Sequence, residues 1–178
     1  MSYEVVLLIE EALSEGDARQ VYSLHEQEAP VHYTVLLPVE DAAAQVEAGI
    51  GALGAGEVMA APTLAMDVEQ VQELQSELQQ TAEKGLAASL DLLRATGATA
   101  DGEAVHDEPI SALTAKVGAV DAREAIIMTR PHVVAEFFHV DWTSRARRKL
   151  GVPVLHLLEH ETFDEQAEGY GEEGVTGL

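Results

Sequence analysis

A few short runs in this chain hold side chains able to do chemistry. Arg130, His132, Thr143 and Arg145 supply two guanidiniums, an imidazole and a hydroxyl where a helix is expected to begin, a set suited to holding a small anion. His132 and His139 flank an apolar segment near Glu136 and Asp141, types that ligate metals; the plainer reading is a set of ordinary imidazoles. His156 and His160 stand four apart, but His156 falls in an expected strand, where that spacing does not build a helical metal pair. Arg145, Arg147, Arg148 and Lys149 place four of the ten Lys and Arg within five residues. They complement a helix C-terminus and pair with carboxylates, or they contact an anion or a partner protein. Gly49-Ile50-Gly51-Ala52-Leu53-Gly54 fits the spacing GxGxxG. It follows an alanine-rich stretch instead of joining a first strand to its helix, so it reads as a glycine-rich helix end. No GxxxxGK[ST], GxSxG or HExxH run occurs, and no nucleophile–base constellation is visible, so catalysis has the weakest support.

The elements that must position these groups alternate. Tyr3–Ile9 is an almost unbroken apolar run, as a strand buried on both faces would be. Ser14 offers an N-cap for a helix to about Glu28, with Ala18, Val21, Tyr22 and His25 on one side. His32–Leu37 reads as the second strand, Val39–Ala52 as a short helix, and Gly54–Asp67 as a loop. A long helix follows over Val68–Thr96, with Val71, Leu74, Leu78, Ala82, Leu86, Leu90 and Leu93 as its apolar stripe and Gly97 closing it. Ala98–His106 is a weak third strand containing Gly102, and Asp107 and Pro109 open a helix through about Val120. Ala125–Met128 is a fourth strand, a last helix runs from Asp141 or Thr143 to Leu150, and Val152–Leu158 is the fifth strand. This alternation predicts an α/β fold: a doubly wound, open, parallel five-stranded sheet with helices on both faces.

Composition bounds the function. The chain has 178 residues, 47% hydrophobic but only 4% aromatic, which suits one aliphatic-cored domain over residues 1–160. There are no cysteines, hence no thiolate nucleophile, disulfide framework or zinc–thiolate site. The N-terminus lacks a basic leader, no apolar run is long enough to span a bilayer, and a cytoplasmic protein is expected. Thirty-two acids against ten Lys and Arg give a net charge of -22, which repels nucleic acid and anionic lipid and suits a high-salt cytoplasm. From Glu159 to Leu178 the chain has seven acids, four glycines and no Lys or Arg, predicting a solvated end, with an acidic tail over 161–178.

The order and ending of these elements resemble the universal stress protein family. Asp107-Glu108-Pro109-Ile110 looks like its acidic-Pro turn, Val120-Asp121-Ala122-Arg123-Glu124-Ala125-Ile126-Ile127-Met128-Thr129-Arg130 its fourth strand, and Gly151-Val152-Pro153-Val154-Leu155 its closing strand. The resemblance implies strand order 3-2-1-4-5 and a homodimer through the last strand, Val152–Leu158. It also implies a pocket at the carboxyl ends of strands 1 and 4, with Glu10, Thr129, Arg130, His132, Asp141 and Thr143 at the family's binding positions. ATP-binding members carry GxxG, nine residues and Gly-Ser or Gly-Thr after strand four. Thr129 to Ser144 contains no glycine; Pro131 removes an N–H donor and Asp141 puts a carboxylate where phosphate oxygens would sit. Phe137, Phe138 and Trp142 fill out that segment as plug, lid or dimer surface. The expectation is therefore a dimeric stress-response or regulatory protein without family-type ATP binding. The alternative is a nucleotide- or small-anion-binding module with an atypical site at those strand ends.

Overall fold

The computed structural model describes residues 2–28, 30–40, 68–130 and 146–160. The five strands are β1 (Tyr3–Ile9), β2 (Val31–Pro38), β3 (Thr99–Val105), β4 (Glu124–Thr129) and β5 (Val154–Leu158). They form one sheet in the order β3-β2-β1-β4-β5, and every pairing is parallel. The doubly wound sheet and the order implied by the resemblance are both present.

Alternation along each strand sends side chains to two separate cores. Val5, Leu7 and Ile9 of β1 face α1 (Glu15–Ser23) and α2 (Val68–Ala95) with Tyr33, Val35, Leu90 and Leu93. Val6 and Leu8 face the other way, onto Ile110, Leu113 and Val117 of α3 (Pro109–Val120) and onto Ala146 and Leu150 of the helical residues 146–150. Burial on both faces explains why β1, β2 and β4 read as continuous apolar runs.

Several boundaries differ from expectation for local reasons. In α1, Ser14 and Asp17 form a reciprocal capping box, but the helix ends at Ser23, short of Glu28. The Val21 carbonyl, which the His25 amide would reach in a continued helix, is instead engaged by the Leu24 amide, the His25 ring and the Tyr33 hydroxyl. The His25 amide donates to Tyr22. The α2 stripe is buried at Leu86, Leu90 and Leu93 and half-buried at Val71, Leu74, Leu78 and Ala82. Gly97 closes it at φ 101°, a conformation that favours glycine. The cap of α3 is Glu108, not Asp107; its carboxylate accepts from the amides of Ile110 and Ser111, with Pro109 in the first turn. β5 begins at Val154 because Pro153 has no N–H to give the ladder, although its carbonyl accepts from the Ala125 amide.

The expected helix over Val39–Ala52, the loop to Asp67, the GxGxxG run and the tail over 161–178 lie wholly or mostly outside the described residues, as does the start of the last helix. Among the described residues no helix is long and apolar enough to cross a membrane.

Candidate functional site

In a doubly wound sheet the crevice opens where adjacent strands send their connections to opposite faces, here between the carboxyl ends of β1 and β4. Glu10 and Glu11 follow β1 directly, and Arg130 follows β4. The Arg130 guanidinium bridges both acids, with Nη2 donating to Glu10 Oε1 and Nη1 to Glu11 Oε1, each at 2.9 Å. Its backbone amide donates to the second Glu10 oxygen, also at 2.9 Å. Hydrogen bonding to Glu10, ahead of the opposing cost of burial, raises the pKa of the Arg130 guanidinium. Its Nε is buried without a hydrogen-bond partner among the described residues.

The other face of the crevice corrects the expectation of a solvated end from Glu159. The Glu159 amide extends the β4–β5 ladder by donating to the Thr129 carbonyl at 2.9 Å. Its side chain then reaches across the end of β4, and Oε1 accepts from the amides of Glu10 and Glu11 at 2.8 and 3.0 Å. Glu159 is 1% exposed. Burial, reinforced by the charges of Glu10 and Glu11 and opposed by the two amide bonds, pushes its carboxyl up to about 7. The next residue is fastened as well: the His160 amide donates to Asp17 Oδ1 at 2.8 Å, and its ring lies 3.1 Å from Asp17 Oδ2. Asp17 is the buried acid of the α1 capping box, so the end of β5 is tied to the starts of both the crevice and α1.

Of the residues marked by sequence, Glu10, Thr129 and Arg130 therefore meet at this crevice. The Thr129 hydroxyl shares a 2.9 Å hydrogen bond with His156 Nε2 on the neighbouring strand. His132, Asp141 and Thr143 lie outside the described residues, as do His139, Phe137, Phe138, Trp142 and Arg145. Sequence reasoning missed Glu159, Asp17 and His160. The available signal was an acid placed immediately after the last strand of a parallel sheet, beside the switch point.

Beside the crevice lies a cleft of about 380 Å³, rimmed by Glu10, Glu11 and Glu40 and floored by Leu37, Leu78 and Ala82. Its rim carries carboxylates and no cation among the described residues. No group of acids and histidines with metal-ligand geometry occurs among the described residues.

No family model and no curated protein matches the sequence. Solved structures do match. The hypothetical protein MJ0577, whose biochemical function was assigned from its structure, superposes with a TM-score of 0.60 at 14% identity, covering 91% of this chain and 100% of that one. A universal stress protein from Archaeoglobus fulgidus gives 0.50 at 15% identity over 88% of this chain and 94% of its own. The universal stress protein UspA from Lactobacillus plantarum gives 0.50 at 13% over 90% and 99%. The chain has the universal stress protein fold. In this version of the fold the β1–β4 crevice is lined by the chain's own ion pairs and by Glu159.

Proposed function

We propose that this chain is a stress-response regulatory protein of the universal stress protein type, homodimeric through β5, that does not hold ATP in the family manner. The observation that carries the reading is the occupancy of the crevice by internal groups. Arg130, the described cation nearest the strand ends, is held by two carboxylates, and the Glu10 and Glu11 amides already donate to Glu159. A triphosphate entering there would have to displace both sets of bonds and approach three acids. The glycine-free run from Thr129 to Ser144 points the same way, since close backbone approach to phosphate needs residues without Cβ.

Thermal unfolding with ATP, AMP and cyclic AMP, with and without magnesium, tests this. The expected result is an unchanged midpoint at millimolar nucleotide. A ligand at a hundred times its Kd would stabilise the fold by about 2.7 kcal/mol. A shift of that order that disappears in Arg130→Ala would sink the proposal.

One observation favours the second reading, a small-anion site at the same place. Two consecutive amides do converge on a single carboxylate oxygen, which is the geometry an oxyanion needs.

A further inference from the structure

Glu159 is the most completely enclosed acid of the crevice, and its surroundings are unfavourable to a charge. Oε1 has two amide donors, whereas Oε2 is buried with no hydrogen-bond partner among the described residues. The charged groups about it come from every adjoining element. Glu10 and Glu11 stand at the end of β1, clamped by Arg130 from β4. Asp17 of α1 pairs with the His160 ring, which also lies 3.8 Å from Glu11. His156 of β5 is bonded to Thr129. Three acids thus face one arginine and, when protonated, one or two imidazoles. An ionised carboxylate enclosed there costs more than a neutral carboxyl, which as a carbonyl oxygen at Oε1 keeps both amide bonds and leaves only the Oε2 hydroxyl unsatisfied.

We propose that Glu159 is a proton-operated latch on the crevice, seated on the Glu10 and Glu11 amides while neutral and driven off when ionised, which uncovers that amide pair. This rests on the reading of the β1–β4 crevice given above and adds its regulation. The direction of titration agrees. The folded chain retains a proton that the unfolded chain loses near 4.5, so the contact is firm at acid pH and weakens as pH rises through about 7. Above that value the latch contributes nothing further to stability, the opposite of the usual behaviour of a salt-bridged acid.

The test uses the full chain labelled with nitrogen-15, following the amides of Glu10 and Glu11 from about pH 5.5 to about 8.5. Both resonances should move with one midpoint near neutrality. Their hydrogen-exchange protection should fall about tenfold further than that of Ile127 in the sheet centre. Glu159→Gln keeps the carbonyl oxygen but has no proton to lose, so the shared midpoint should vanish and both amides should stay protected. Flat wild-type resonances or a midpoint that survives in Glu159→Gln would each overturn the latch. Adenine-nucleotide binding would overturn the proposed function while leaving the titration to decide the latch on its own. The wild-type titration needs no variant, so poor folding of Glu159→Gln does not leave the question open.

Discussion

His25 is 2% exposed, and both its ring nitrogens are engaged: Nδ1 lies 2.8 Å from the Tyr33 hydroxyl and 3.1 Å from the Val21 carbonyl, and Nε2 lies 2.6 Å from Glu124 Oε1. Tyr3 donates to the second Glu124 oxygen at 3.2 Å. The hydrogen bond from His25 outweighs desolvation and holds the Glu124 carboxyl below the ordinary carboxylate range. A depressed acid stabilises the fold above its unfolded value, and that contribution is lost as pH falls through the lower folded value. Glu124→Gln should therefore cost about 1.5–3 kcal/mol at neutral pH, the range for a hydrogen bond to a charged group, and flatten the acid limb of stability. Urea unfolding of both proteins from neutral pH down to about 3 reads this directly; equal stability with equal pH dependence would contradict it. The residues of the crevice were only half legible in the sequence. Glu10, Thr129 and Arg130 stand at strand ends that a strand assignment locates. Glu159 is likewise placed by the end of the last strand, but its reach across β4 to the amides of Glu10 and Glu11 is a tertiary contact that a strand end alone does not specify.

Strands β1, β2 and β4 were legible because burial on two faces leaves a continuous apolar run. β3 was weak for a matching reason: it is the outer strand beside β2, only one of its seven residues is fully buried, and it contains Gly102. The structure gives that glycine a role. It pairs with Val35 of β2, and a Cβ built on it would fall inside van der Waals contact of the Val35 carbonyl oxygen, a backbone atom that cannot move alone. Gly102→Ala should thus destabilise by about 1–3 kcal/mol through overpacking, more than the roughly 0.4–1 kcal/mol gained by restricting the unfolded chain. A urea midpoint at or above that of the wild type would exclude the close approach. Helix α2 shows what periodicity conveys and what it omits. The stripe from Val71 to Leu93 marks the inward face, but the buried Ser89 on that face, whose hydroxyl accepts from the Leu13 amide, is invisible to a hydrophobic count. Strand order was likewise not contained in the residues of any one element; it follows from which face each crossover takes, and came from the family resemblance.

At the scale of the molecule, charge and assembly oppose each other. Two chains of net charge -22 repel, and the proposed dimer must overcome this along the outer strand β5. That edge has apolar surface to offer: Leu24 and Leu155, 38% and 37% exposed, border one cleft of about 320 Å³ with Pro153 and Val154. The attraction is short-ranged and insensitive to salt, whereas the repulsion is screened over a Debye length that falls from about 10 Å at 0.1 M to about 3 Å at 1 M. Light scattering on the eluting protein should therefore show the dimer fraction rising with sodium chloride across that range. Leu155→Asp adds a charge and removes apolar contact at the edge, and should weaken association at least about tenfold, some 1.4 kcal/mol, while the far-ultraviolet spectrum stays unchanged. A monomer mass at every salt and protein concentration would rule out assembly through β5. A dimer indifferent to Leu155→Asp would move the interface elsewhere, because an edge-strand contact cannot bury a new carboxylate without cost.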